Sequence, residues 1–160
     1  MSHYIANLRD IEFCLFDLLK RDEILGKSIF KDIDRETSMG MLEEIKRLAE
    51  NDLAESFIES DRLGVQFNKE TGDVKLPESF KKSYRTFMDN EWWRIDAPVE
   101  IGGTLIPASL RWAIAEMVLG SNPSIHIYAS GTAFAHVAYV LGNDEQKKMA
   151  KLMVDNDWGA

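Results

Sequence analysis

Apolar residues recur at helical spacing along most of the chain. Leu8, Ile11, Leu15, Leu18 and Leu19 are three and four apart, with Phe16 beside them, and this predicts a first helix over about Ile5 to Leu19. Its apolar stripe is broad, as in a helix that docks onto something larger. Gly26 is the stop signal of this segment. Met41, Leu42, Ile45, Leu48, Ala49, Leu53 and Phe57 form the face of a second, longer helix over Arg35 to Arg62. Asp34 is placed to cap its free amides. Gly40 weakens its start, Asn51-Asp52 weaken its middle and allow a kink, and Gly64 ends it. Val65 to Leu76 alternates around a turn rich in Gly and Asp, predicting a small hairpin or extended loop that must lie on the helices.

Pro77 opens the next helix. Phe80, Tyr84 and Phe87 give it an aromatic face up to about Asn90, and Trp92 and Trp93 pack into a corner behind it. Pro98, Gly102 and Gly103 mark a loop. Pro107 opens a helix with Leu110, Ile114, Met117 and Val118 on its face, broken by Gly120-Ser121-Asn122-Pro123. The stretch from Pro123 to Leu141 reads as one helix that is apolar all round and therefore buried on all sides. Gly142 caps it, and Asn143 or Asp144 caps a last helix through about Val154. The expected fold is all-α, a bundle of five or six helices with one minor hairpin. Residues 1–34 form an N-terminal extension and residues 35–160 the main helical domain.

The 160 residues are 45% hydrophobic and 29% charged, an ordinary globular composition. A net charge of −8 and a pI near 4.9 argue against a nucleic-acid partner, which wants a basic stripe. No apolar run is long enough for a membrane span, and the first ten residues lack the features of a signal peptide. One cysteine, Cys14, cannot form an internal disulfide, so a reducing, cytoplasmic setting is expected. Its apolar neighbours Phe13 and Leu15 favour a buried, inert thiol.

Candidate chemistry is sparse. There is no glycine-rich phosphate loop and no cysteine cluster. His126 and His136 are ten apart, about 80° around a continuous helix and nearly three turns along it, which does not suit a shared metal. Both read instead as histidines hydrogen-bonded in or near the core. Glu43-Glu44 lies on a charged face. Glu116, between Ala115 and Met117, is a candidate base if burial raises its pKa, with an ordinary ion pair as the plainer reading. The small residues Ala129-Ser130-Gly131-Thr132-Ala133 permit either tight helix packing or the wall of a deep apolar slot.

Several strings carry a resemblance. They are Asn122-Pro123, Ala129-Ser130-Gly131, and Leu141-Gly142-Asn143-Asp144-Glu145-Gln146-Lys147-Lys148. Earlier in the chain are Tyr4…Leu8-Arg9-Asp10…Phe13…Leu15-Phe16-Asp17-Leu18-Leu19, and Gly64-Val65-Gln66-Phe67 through Thr71-Gly72 to Leu76-Pro77-Glu78-Ser79-Phe80-Lys81. Trp93, Gly102-Gly103 and Pro107-Ala108-Ser109-Leu110 complete the pattern. Together they resemble the N-terminal helical domain of acyl-CoA dehydrogenases, in particular the larger, long-chain-type bacterial members.

That resemblance implies an FAD enzyme of fatty-acid β-oxidation. A carboxylate removes the proton alpha to the thioester, a hydride leaves the beta carbon for the flavin, and electrons pass to an electron-transfer flavoprotein. The family's flavin segment and catalytic glutamate lie beyond Ala160, so the resemblance places no catalytic residue here, and the isolated chain is expected to hold no cofactor and to be inactive. What it implies for this chain is pocket lining by Tyr128, Ser130, Gly131, Thr132 and Phe134. It also implies partners: the remaining domains, a fatty acyl-CoA and further copies of the complete enzyme. On this reading an exposed apolar face is expected where those domains dock. Two other readings stand beside it, a stand-alone helical interaction module and a small enzyme using Glu116 with His126 or His136.

Overall fold

The computed structural model describes residues 2–158. The chain is all-α apart from one short hairpin. The first helix, α1 (Leu8–Glu12), runs directly into a wider, π-type turn over Phe13–Leu18. Short 3₁₀ turns at Arg21–Glu23 and Ser28–Phe30 lead to α2 (Arg35–Leu48). Asp34 caps α2 as expected, its Oδ1 accepting from the Thr37 amide at 2.8 Å. Arg35 ties the preceding segment down, reaching Glu12 at 3.1 Å and Asp22 at 3.0 Å while its guanidinium lies over the Phe16 ring.

The long helix expected to Arg62 is divided. After α2 the backbone widens into a second π-type turn, Ala49–Leu53, and then turns at Ser56 into α3 (Phe57–Leu63). This falls where Asn51-Asp52 weaken the helix, but neighbouring hydroxyls accompany it. A π turn disturbs the helical ladder and exposes carbonyls that need partners. Ser121 Oγ donates to the Ala49 carbonyl at 2.6 Å, and Ser83 Oγ to that of Asp52 at 2.6 Å. Ser121, Ser83, Ser56 and Asn122 are four of the six buried polar residues among those described, and all four gather around this turn.

The hairpin pairs β1 (Gln66–Phe67) with β2 (Val74–Lys75) in antiparallel register, Gln66 opposite Lys75 and Phe67 opposite Val74. Its strand residues are exposed. Pro77 leads into α4 (Glu78–Asp89), which buries Phe80 and Phe87 and leaves Tyr84 half-buried. Trp92 and Trp93 are both buried in the following 3₁₀ turn, Trp92–Asp96. Pro107 leads into α5 (Ala108–Ser121), the most deeply set helix, with Leu110, Ile114, Met117 and Val118 in the core. Those residues meet Leu42, Ile45, Leu48 and Leu53 from α2 and its π turn, and Ala6, Ile11, Leu15 and Phe16 join the same core.

The single apolar helix expected from Pro123 to Leu141 is two helices, α6 (Pro123–Tyr128) and α7 (Gly131–Leu141). The break falls at Ala129-Ser130, where Ser130 Oγ donates to the Ile127 carbonyl at 2.6 Å and competes with the helical ladder. Nor are they buried on all sides. One face of α7 packs on the last helix, α8 (Asp144–Asp155), while Phe134, Val137, Val140 and Leu141 are exposed. In this stretch apolar composition reports an uncharged surface as well as a core.

Gly142 ends α7 with extended rather than left-handed backbone. A Cβ there would collide with the Ala138 carbonyl and lie 2.7 Å from Gln146 Cβ, so close approach is what requires glycine. Asn143 is the cap. Its Oδ1 accepts from the Gln146 amide at 3.0 Å, and the Gln146 side chain accepts from the Asn143 amide at 2.8 Å. The terminal Gly159-Ala160 lies outside the described residues.

Candidate functional site

A groove of about 330 Å³ opens between the Ile95–Ile106 loop, the start of α5 and one side of α7. The loop is held from several directions. Thr104 donates its amide to the Arg94 carbonyl at 2.8 Å, and Gly103 donates its amide to that of Pro98 at 2.9 Å. Gly102 has φ of +95°, and a Cβ on Gly103 would collide with the Ala97 carbonyl. The Gly102-Gly103 pair is therefore the tight corner that brings Leu105 and Ile106 back over Pro98. Arg94 braces that corner, donating to the Gly102 carbonyl at 2.5 Å and pairing with Glu91.

The groove is mainly apolar. Ile95, Ala97, Pro98, Leu105, Ile106 and Ala108 line two sides and Ala133 the third. Its polar part is the ion pair of Asp96 with Arg111, joined by His136, whose Nδ1 is 3.3 Å from the Asp96 carbonyl. The Arg111 guanidinium also lies 4.8 Å from the centre of the exposed Trp112 ring. His126 on α6 is half-buried close to this pair. Burial lowers its pKa below the ordinary value, Asp96 pulls it up and Arg111 pushes it down.

The five residues the resemblance implied for pocket lining are spread around α6 and α7. Tyr128 is partly exposed and meets Phe80 edge-on at 5.1 Å. Ser130 is half-buried at the helix break, Gly131 and Thr132 are buried, and Phe134 is 58% exposed. None of the five lines the groove, while Ala133 and His136 of the same helix do. Their spacing of three is legible in sequence as one side of a helix. Asp96 and Arg111 are fifteen positions apart across a loop, and nothing in the sequence pairs them.

Other candidates separate. Cys14 is exposed, not buried, because the π-type turn carries Leu15 and Phe16 inward and leaves Phe13 and Cys14 outside. It borders a different cavity, of about 330 Å³, with Trp112 and Glu116. Glu116 is exposed on α5, not buried as the candidate base required. His136 is exposed rather than a core residue. Among the described residues no cluster of three or more His, Cys, Asp or Glu could hold a metal.

The exposed apolar stripe of α7 adjoins the groove. Val137 follows Ala133 by four positions and Val140 follows His136 by four, so groove and stripe are neighbouring parts of one helix surface. Ile127 on α6 is exposed as well. From Pro123 to Gly142 no Asp, Glu, Lys or Arg occurs, in a chain of net charge −8.

No family model matches the chain. It is 44% identical over all 160 residues to a broad-specificity linear acyl-CoA dehydrogenase of Mycobacterium tuberculosis, of which it spans 26%. The chain is homologous to acyl-CoA dehydrogenases. It is also 29% identical over 145 residues, 90% of its length, to a 3-methylmercaptopropionyl-CoA dehydrogenase of Ruegeria pomeroyi, of which it spans 24%. The chain thus spans about a quarter of the length of the curated acyl-CoA dehydrogenases it matches. Among the described residues no helix is long and apolar enough to cross a membrane.

Proposed function

We propose that this chain is the N-terminal portion of an FAD-dependent acyl-CoA dehydrogenase of fatty-acid β-oxidation, and that α5 to α7 supply one wall of its acyl slot. The observation that carries this reading is the 44% identity along the whole chain to an enzyme acting on linear acyl-CoA. The second relative acts on an acyl-CoA whose chain carries a thioether. A wall that serves such substrates should be apolar and include small residues, and the groove, with Ala97, Ala108 and Ala133 in its mainly apolar lining, has that character.

No flavin-holding residue is assigned to this chain. Among the described residues, neither short strand leads through a glycine-rich turn into a helix N-terminus that could cradle a pyrophosphate. No redox step is assigned to them, and the flavin belongs to the complete enzyme. The role left to this chain is to bind and orient the acyl group and to present the uncharged α6–α7 surface to the remaining domains. In the complete enzyme the partners are a fatty acyl-CoA, an electron-transfer flavoprotein and further copies of the enzyme, in the cytoplasm.

The test is expression of the full-length protein carrying this segment. A bound flavin spectrum that bleaches on adding a saturated acyl-CoA, with formation of the enoyl-CoA, supports the reading. A flavin-free protein, or a flavoprotein that no saturated acyl-CoA bleaches, refutes it.

A further inference from the structure

The polar part of the groove holds more hydrogen-bonding capacity than the protein uses. Arg111 commits Nε to Asp96 Oδ1, and among the described residues no acceptor meets its terminal amino groups. Asp96 Oδ2 likewise meets no donor among them. The Arg111 and Asp96 side chains are 25% and 16% exposed, so water reaches the pair in the open groove. An acyl chain entering along Ala133 displaces that water. A plain hydrocarbon returns no hydrogen bond, and stripping water from such groups without replacement is unfavourable.

The pair also selects the replacement. A carboxylate on the ligand would meet the charge of Asp96, and an ammonium would meet that of Arg111. A neutral group that both donates and accepts satisfies the two together. On the reading that this groove takes an acyl thioester, we propose that Asp96 and Arg111 hold a hydroxyl or amide of that thioester, fixing how far the acyl chain enters. The group has two sources, a hydroxyl carried by the acyl chain or the pantetheine arm of CoA.

The experiment uses the full-length enzyme and its Asp96→Leu/Arg111→Leu variant, which replaces the ion pair with apolar side chains, a change that often leaves stability intact. Unchanged flavin content and melting temperature identify a sound variant. If the pair of substitutions disturbs folding, Asp96→Asn/Arg111→Gln takes its place. For each protein kcat/KM is measured on octanoyl-CoA, on a set of monohydroxylated octanoyl-CoA isomers, and on the N-acetylcysteamine thioester of octanoate. That last compound lacks the pantetheine hydroxyl and one amide.

A hydroxyl on the acyl chain predicts that the ratio of the best hydroxyoctanoyl isomer to octanoyl-CoA falls roughly tenfold in the variant, the scale of one lost hydrogen bond. The pantetheine source predicts a similar fall in the ratio of octanoyl-CoA to the truncated thioester, expressed in KM more than in kcat. Both ratios unchanged overturns the proposal and leaves the acyl-slot reading standing. A wild-type enzyme that oxidises none of these thioesters overturns the acyl-slot reading itself.

Discussion

Asn122 donates its side-chain amide to Ser56 Oγ at 3.0 Å, and both residues are fully buried. This one bond joins two interruptions. Asn122 sits where α5 breaks into α6, and Ser56 sits where the widened end of α2 breaks into α3. Beside it Ser121 Oγ reaches the Ala49 carbonyl, and His3 Nε2 lies 2.9 Å from the Ser121 carbonyl while its ring stacks on Phe57. Tyr4 packs on Gly120 next to them, leaving no room for a Cβ there. The two helix breaks thus form one polar cluster inside an apolar core, covered from outside by the exposed His3 and the half-buried Tyr4. Removing the Ser56 hydroxyl leaves the Asn122 amide buried and unpaired, and removing Asn122 leaves Ser56 with only its 3.3 Å bond to the Leu53 carbonyl, a loss of about 1–3 kcal/mol. Asn122→Ala and Ser56→Ala should each destabilise on that scale. The double variant should lose less than the sum of the singles, a coupling that urea denaturation of all four proteins would reveal. Additive losses would mean that the bond is not what holds the junction.

Two glycines make opposite predictions. Gly40 lies inside α2 with nothing within 4 Å of a built Cβ. Gly40→Ala should therefore stabilise the protein, by about 0.5–1 kcal/mol, through lower entropy of the unfolded chain. Gly142→Ala should destabilise it, because the new Cβ meets the Ala138 carbonyl and the capping box behind it. Melting curves of the two variants should move in opposite directions. A shift of the same sign in both would contradict these placements.

The sequence was most legible where structure is local. Asp34, Pro77, Pro107 and Asn143, one of the two caps expected for the last helix, mark helix starts locally, and each stands immediately before the helix it was expected to begin. The hairpin was legible for the same reason. The π turns were not, because their carbonyls are satisfied by Ser83 and Ser121, far away in sequence. The break at Ala129-Ser130 was also missed, since an apolar run reads as a continuous helix until a side chain bonds back to the backbone. The groove was legible only in part. Ala133 lies in a small-residue run noticed for that property, but Asp96 becomes a groove residue only once the Gly102-Gly103 corner folds the loop against α5.

His126 makes stability depend on pH. Burial is the main cause of its lowered pKa, so the unfolded chain binds more protons than the folded one between the two pKa values. The contribution is fully present above the ordinary histidine value of about 6.5 and is lost as pH falls through the folded pKa. Asp96, Arg111 and His136 surround the same region and are unchanged by His126→Gln. That substitution should flatten the fall in stability on the acid side of 6.5 without altering the alkaline side. Parallel stability curves for the two proteins would show that His126 is not the titrating group.

The uncharged face of α7 predicts how the 160-residue chain behaves alone. Phe134, Val137, Val140 and Leu141 are exposed, Leu141 at 81%. Such a face should bind a hydrophobic dye and draw copies together. Phe134→Glu/Val137→Glu places two charges on it without touching the core. Dye fluorescence and sedimentation should both report the loss. An unchanged signal would place the sticky surface elsewhere, for instance at Phe13, Leu18 and Leu19 on the first helix.

Neighbouring positions on α7 separate an acyl wall from ordinary packing. Ala133 lines the groove, whereas Thr132, one position earlier, is buried away from it. If the groove takes an acyl chain, Ala133→Leu fills space that the chain would occupy. Each methylene denied burial costs about 0.8 kcal/mol, about fourfold in kcat/KM. The full-length enzyme carrying Ala133→Leu should therefore lose activity progressively as the acyl-CoA lengthens. Thr132→Leu overpacks the core instead, and should lower the melting temperature while leaving the order of preference among chain lengths unchanged. If Thr132→Leu reorders that preference and Ala133→Leu does not, the acyl chain runs along the other side of α7, the side on which Gly131 and Thr132 lie.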